Sequence, residues 1–159
     1  MQYKICEKNA IRVVGVKIPL VEDHEKNMIL ISQFWSQTIG TRRFEEICTL
    51  AEQELHGVLG ISVYFDPQHI YYYIAAATNQ PNPVGTEEFL IPATTWCIVT
   101  GAPCKATNFM DMFKGFWTEF LPFSGLKYAE LPDIEVYPID GEGKTFPIKE
   151  MWLAVKQAD

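Results

Sequence analysis

The chain has no apolar run longer than residues 70–77, far short of the ~20 residues a membrane-spanning helix needs. Its first residues, Met1-Gln2-Tyr3-Lys4-Ile5-Cys6, lack the apolar stretch of a signal peptide. Basic residues are few and scattered. Against 20 Asp and Glu there are 13 Lys and Arg, only Arg42 and Arg43 are adjacent, and the net charge is −7. Phosphate backbones are held by clustered cations, so no direct nucleic-acid partner is expected, and no membrane. Cys6, Cys48, Cys97 and Cys104 lack metal-ligand spacing, and His24, His56 and His69 stand far apart. No metal and no cofactor is expected. The thiols read as reduced in a cytoplasmic protein, with Cys48 and Cys97 buried as small hydrophobes. Nucleophile motifs and phosphate-cradling loops are missing too, and the pair Gly57-x-x-Gly60 is too sparse to count as one. Common hydrolase chemistries are thereby disfavoured.

Aromatic residues are plentiful, at 13% of the chain, and can supply both a core and a lined pocket. Residues 11–20 are β-branched and read as a strand, and 28–38 as a helix with Ile31, Phe34, Trp35 and Thr38 on one face. The spacing of Phe44, Ile47, Cys48, Ala51 and Leu55 predicts a second helix over 41–56, capped by Thr41 and stopped at Gly57. Strands at 58–65 and 70–78 flank the turn Asp66-Pro67-Gln68.

After a Pro- and Asn-rich connector at 79–85 the order returns. A strand spans 88–100, interrupted at Pro92. A helix spans 108–121, with Asn108 as its cap, Phe109, Phe113, Phe116, Trp117 and Phe120 on its apolar face and Pro122 ending it. Strands at 133–139 and 148–156 close the chain. The halves about 11–78 and 88–156 thus share a strand-helix-strand-strand pattern within one domain, 1–159. The expected fold class is α+β: duplicated modules in a pseudo-two-fold antiparallel sheet, helices on one face and a ligand groove between modules.

Within Pro132-Asp133-Ile134-Glu135-Val136-Tyr137, strand alternation puts Glu135 and Tyr137 on one face and Ile134 and Val136 on the other. A carboxylate among aromatics is costly to bury unless a cation or hydrogen-bond donors offset its desolvation. The half-exposed edge strand, with Glu135 in water, is the competing account. Tyr71 and Tyr73 share a strand face opposite Tyr72 and Ile74, and either face can line a groove. Trp35, Trp117 and Trp152 are further candidate wall residues, each also accounted for by core packing, and Trp96 reads as core. The charged stretch Glu22-Asp23-His24-Glu25 reads as a solvated loop.

Order and spacing of Tyr71–Ala77, Phe89–Trp96, Phe116–Gly125, Pro132–Tyr137 and Glu150–Val155 resemble the GyrI-like small-molecule-binding domain. That domain is also called the AraC-type or BmrR-like effector-binding domain. The resemblance spans about 11–156. It implies the duplicated fold with a pocket between modules, and binding of lipophilic cations by a buried glutamate, here matched by Glu135. Relatives with an N-terminal DNA-binding part have a segment for which residues before 11 leave no room, so a stand-alone domain is expected. Ala154 stands where relatives often carry proline.

The leading expectation is a non-catalytic sensor or sequestering protein for a hydrophobic cationic small molecule, with Glu135, Tyr137, Tyr71, Tyr73, Trp117, Trp152 and Trp35 as ligand contacts and no catalytic residue assigned. Two alternatives stand beside it. The resemblance also implies a hydrolase of cyclopropanoid electrophiles, with Glu135 as base and Tyr137 or Tyr71 as proton donor. The other is a gyrase-inhibitor-like protein-binding module. A strand edge could support a homodimer.

Overall fold

The computed structural model describes residues 1–52, 55–101, 108–130 and 132–159. Cys104 and positions 53–54 of the expected second helix lie outside the described residues. In chain order come β1 (Gln2–Lys8), β2 (Ile11–Pro19), α1 (His24–Thr38), α2 (Arg42–Leu50), β3 (Val58–Asp66) and β4 (His69–Ala77). They are followed by β5 (Glu87–Ile91), β6 (Thr94–Thr100), α3 (Phe109–Gly115), a π-helical turn (Phe116–Phe120) and α4 (Leu121–Ser124). The chain closes with β7 (Leu126–Tyr128), β8 (Asp133–Tyr137) and β9 (Glu150–Gln157).

The strands form one antiparallel sheet in the order β1-β6-β9-β8-β3-β4-β2-β5, with β7 added beside β9. The order reads the same from either side of the β3–β8 seam. In each module the strand before the helices lies outside, the last strand in the middle and the remaining one at the seam. The α+β class and the duplicated arrangement expected from the sequence are therefore present. What the sequence did not give is an exchange between modules. β1 leads into β2 but pairs with β6, and β5 leads into β6 but pairs with β2. The interrupted strand at 88–100 is thus two strands with different partners, divided at Pro92-Ala93.

Two apolar layers lie on the helix-bearing face. Under α1 and α2, Phe34, Phe44, Ile47 and Val58 pack with Tyr72 and Ile74. Under α3 and the π turn, Met112 and Phe116 pack with Met151, Leu153 and Val155. On the other face a single layer draws on both modules, including Leu59, Ile61, Trp96, Ile134 and Trp152. Alternation along β8 and β9 makes this division: Ile134 and Val136 turn to the shared layer, while Glu135 and Met151, register partners, turn to the helix side.

Three helix ends differ from expectation. α1 begins at His24, because the Asp23 side chain accepts hydrogen bonds from the backbone of Glu25 and Lys26, converting the expected charged loop into a capped first turn. α2 ends at Leu50 rather than near 56. The Glu52 backbone donates to Ala77 O, and its carboxylate accepts from Thr78 Oγ1 and Asn79 N, so the end of β4 captures the chain. Gly57 is no helix cap: a Cβ there would lie 2.7 Å from Tyr137 O, so its role is close approach to β8.

Pro122 does not end its helix either. Having no N–H, and a ring that collides with the carbonyl four residues back, it is tolerated because the preceding turn widens to π register, with Leu121 N donating to Phe116 O. The helix stops at Gly125, at φ 74°.

Candidate functional site

Glu135 sits at the centre of the sheet on the helix-bearing face, at the seam between modules, and is 6% exposed. Its neighbour across the β3–β8 pairing is Gly60. A Cβ on Gly60 would fall 2.0 Å from the Tyr72 hydroxyl and 3.2 Å from Glu135 Oε1. The missing side chain is what lets Tyr72, from β4, reach across β3. Its hydroxyl donates to Glu135 Oε1 at 3.2 Å, and the Tyr137 hydroxyl donates to the same oxygen at 2.5 Å. From α1, Trp35 Nε1 donates to the Tyr72 hydroxyl at 2.9 Å, and its ring lies 5.0 Å from that of Tyr137 in an edge-on arrangement. The result is a carboxylate held by two phenols and covered by an indole.

Burial pushes the Glu135 carboxyl up to about 7, against the opposing pull of the two phenolic hydrogen bonds, and Asp133 adds like-charge repulsion. Burial, and then the Glu135 charge, hold Tyr137 and Tyr72 well above the usual phenol range, so both remain donors. No ion pair among the described residues involves Glu135.

Two positions along β8, on the same face, the partly buried Asp133 accepts from the Tyr128 hydroxyl at 2.6 Å. Burial pushes its carboxyl up to about 7 as well, opposed by that hydrogen bond.

Of the residues singled out in the sequence, Glu135, Tyr137 and Trp35 come together. Tyr71 and Tyr73 do not join them. They lie on the opposite face, where Lys17 Nζ stands 4.3 Å from the Tyr71 ring and Tyr73 stacks on Phe89. Trp152 is also on that face, 5.8 Å from Trp96, with Lys8 Nζ 5.9 Å from its ring. Trp117 rides on the π turn, 41% exposed, against Phe113, Phe116 and Tyr128. Three residues of the site were not chosen from sequence. Asp133 was within reach, since it has the same strand parity as Glu135. Tyr72 depends on which strand face meets the helices and on the gap at Gly60. Tyr128 comes from β7, a three-residue strand without a readable pattern.

A cleft of about 1180 Å³ opens elsewhere, lined among others by Lys8, Arg12, Glu52, Leu55 and Trp152. Two of its charged groups are already matched: Arg12 bonds Glu88 and the carbonyls of Thr78 and Gln80, and Glu52 caps the end of β4. Glu135 is buried with no counter-charge among the described residues.

The profile of the Cass2 family, integron-associated effector binding proteins, matches residues 4–155. The chain belongs to this family. No curated protein matches the sequence. Among solved structures, a candidate bacterial transcription regulation protein from Staphylococcus aureus MU50 superimposes with a TM-score of 0.75 at 18% identity, covering 98% of this chain and 99% of that one. SAV2435 bound to tetraphenylphosphonium gives 0.76 at 18% identity, over 98% and 94%. The Vibrio cholerae integron cassette protein of the same family gives 0.61 at 18% identity, over 97% and 95%. These likenesses bear out the GyrI-like fold expected from the sequence. Among the described residues, no helix is long and apolar enough to cross a membrane.

Proposed function

We propose that this effector-binding protein takes up hydrophobic cations at the module seam, with Glu135 as counter-charge, as a cytoplasmic sensor or sequestering protein. The observation that carries the reading is a buried carboxylate bonded, among the described residues, by two phenols and shielded by an indole. Such a group costs the fold free energy when ionised, and a cation is what removes that cost. The faces of Trp35, Tyr72 and Tyr137 add cation–π attraction, about 0.5–2 kcal/mol for each well-placed contact. A cation held against Glu135 displaces the covering indole, so binding separates α1 from the seam at Trp35. That a neighbour of the same fold holds tetraphenylphosphonium agrees with this chemistry.

The test is a fluorescence or calorimetric titration with tetraphenylphosphonium and a rhodamine dye on wild type and Glu135→Gln. The substitution keeps shape and hydrogen-bond acceptance and removes the charge. Micromolar binding weakened tenfold or more, about 1.4 kcal/mol, is expected. Equal affinity in the two proteins would sink the proposal.

One observation favours a second reading. A carboxyl near neutrality with a phenol at 2.5 Å is also a general base with an adjacent proton donor. Hydrolysis of a strained cyclopropanoid electrophile would use Glu135 to activate water and Tyr137 to protonate the opened ring. Turnover of such a compound, lost in Glu135→Gln and in Tyr137→Phe, would favour the hydrolase over reversible binding.

A further inference from the structure

The seam carries a second acid in a second aromatic setting. Asp133 and Glu135 occupy alternate positions of β8, on one face, with backbones roughly 7 Å apart at strand rise. Each acid is served by its own set of side chains. Glu135 has Tyr72 and Trp35 from the first module, besides Tyr137 on its own strand. Asp133 has Tyr128 from the second module, and the ring of Tyr128 lies 5.4 Å from that of Trp117. Each acid's phenol thus has a tryptophan beside it, Trp35 of α1 against Tyr72 and Tyr137 and Trp117 of the π turn against Tyr128. The π turn has its own significance: such turns are rare, and frequent at functional sites, because they re-aim a side chain that regular helix would direct elsewhere. Here the turn carries Trp117 to Tyr128, and leaves it 41% exposed.

A ligand with one positive centre can answer only one of these carboxylates. No ion pair among the described residues involves Asp133 either. Resting on the reading of Glu135 as a cation site, we propose that Asp133 is a second anchoring carboxylate of that site. The protein then prefers ligands bearing two positive centres, separated by roughly the i,i+2 strand spacing of ~7 Å, on an aromatic frame. Glu135 sets the requirement for a cation, and Asp133 sets the preference for a second one. Tyr128 and Trp117 form the wall against which the second centre rests.

A matched pair of dyes tests this. Ethidium carries one positive charge on a phenanthridinium ring. Propidium carries the same ring with a quaternary ammonium on a three-carbon arm. Wild type is expected to bind propidium at least tenfold more tightly than ethidium, by fluorescence titration. Asp133→Asn, which keeps an acceptor for the Tyr128 hydroxyl, is expected to bring the two affinities within threefold. Glu135→Gln is expected to weaken both dyes.

Equal affinities in wild type, with both lost in Glu135→Gln, would overturn the role of Asp133 and leave the cation site standing, and this arm needs no Asp133 variant to fold. A propidium preference that survives Asp133→Asn would assign it to the overall charge of −7 and overturn the proposal equally. Absence of binding by either dye, or binding indifferent to Glu135→Gln, would overturn the cation site and this inference together.

Discussion

At the residue scale the site depends on a side chain that is not there. Gly60 has no turn to make and no positive φ to adopt. It is glycine because a methyl group would stand 2.0 Å from the Tyr72 hydroxyl oxygen and 2.9 Å from Cζ of the same ring. Gly60→Ala therefore forces Tyr72 away from Glu135. Overpacking of this kind costs about 1–3 kcal/mol, so thermal melts should show a clear fall in Tm, and the affinity for a lipophilic cation should drop with it. Unchanged Tm and affinity would mean that Tyr72 is not needed where it stands. This residue marks the limit of what sequence conveyed. Glu135 and Tyr137 could be paired from strand alternation, because they are local. Tyr72 could not be preferred over Tyr71 and Tyr73, since parity gives two faces and does not say which one meets α1. The space above Gly60 is set by the β3–β4 hairpin together with β8, a strand remote in sequence.

At the element scale, two N-caps were legible and the far ends of their helices were not. Thr41 and Asn108 cap their helices as read from the sequence, Asn108 through a reciprocal pair with Asp111. Pro122 reads as a stop because a proline cannot extend an α-helical ladder. The chain instead changes register for one turn and continues to Gly125. β1 leaves little mark in the sequence, because its exposed, charge-bearing residues give little alternation and its partner β6 lies some ninety positions away. The π turn makes a prediction of its own. Pro122→Ala restores the missing N–H and removes the ring that collides with the preceding turn. The turn is then expected to relax toward regular helix, moving Trp117 relative to Tyr128. A changed tryptophan emission maximum and near-ultraviolet dichroism, with Tm equal or raised, is the expected outcome. Identical spectra would show that packing under α3, and not Pro122, holds the π register.

At the scale of the molecule, the two modules are joined by exchange: β1 and β5 each complete the other half's sheet. The repeated pattern was legible because it is written twice along the chain, whereas the exchange was not, since pairing between remote strands leaves no local mark. The β3–β8 pairing closes the seam on which both acids are held, and their burial there ties the stability of the whole fold to pH. Glu135 titrates near 4.5 when unfolded and about 7 in the fold, and Asp133 rises from 3.8 to about 7. For acids with raised values, the stabilising difference is complete below the unfolded value and is lost as pH climbs to the folded one. Between about pH 4 and 7 the unfolded chain gives up these protons while the native state keeps them, so stability falls with rising pH. Glu135 alone contributes on the order of 3 kcal/mol to that fall. The partly exposed Asp66 and Asp140 are held below the usual carboxylate range by hydrogen bonds, chiefly from His69 and from the Lys144 backbone. They act in the opposite sense, at more acid pH, so the window from 5.5 to 7.5 reports mainly the buried pair. Urea unfolding should therefore give a lower stability at pH 7.5 than at 5.5. Glu135→Gln should reduce the difference to the part that Asp133 contributes, and a saturating lipophilic cation should stabilise more at pH 7.5, where the carboxylate it meets is already ionised. Parallel pH profiles for wild type and variant would mean that Glu135 is solvated in the native protein, and the argument for a cation at the seam would fall with it.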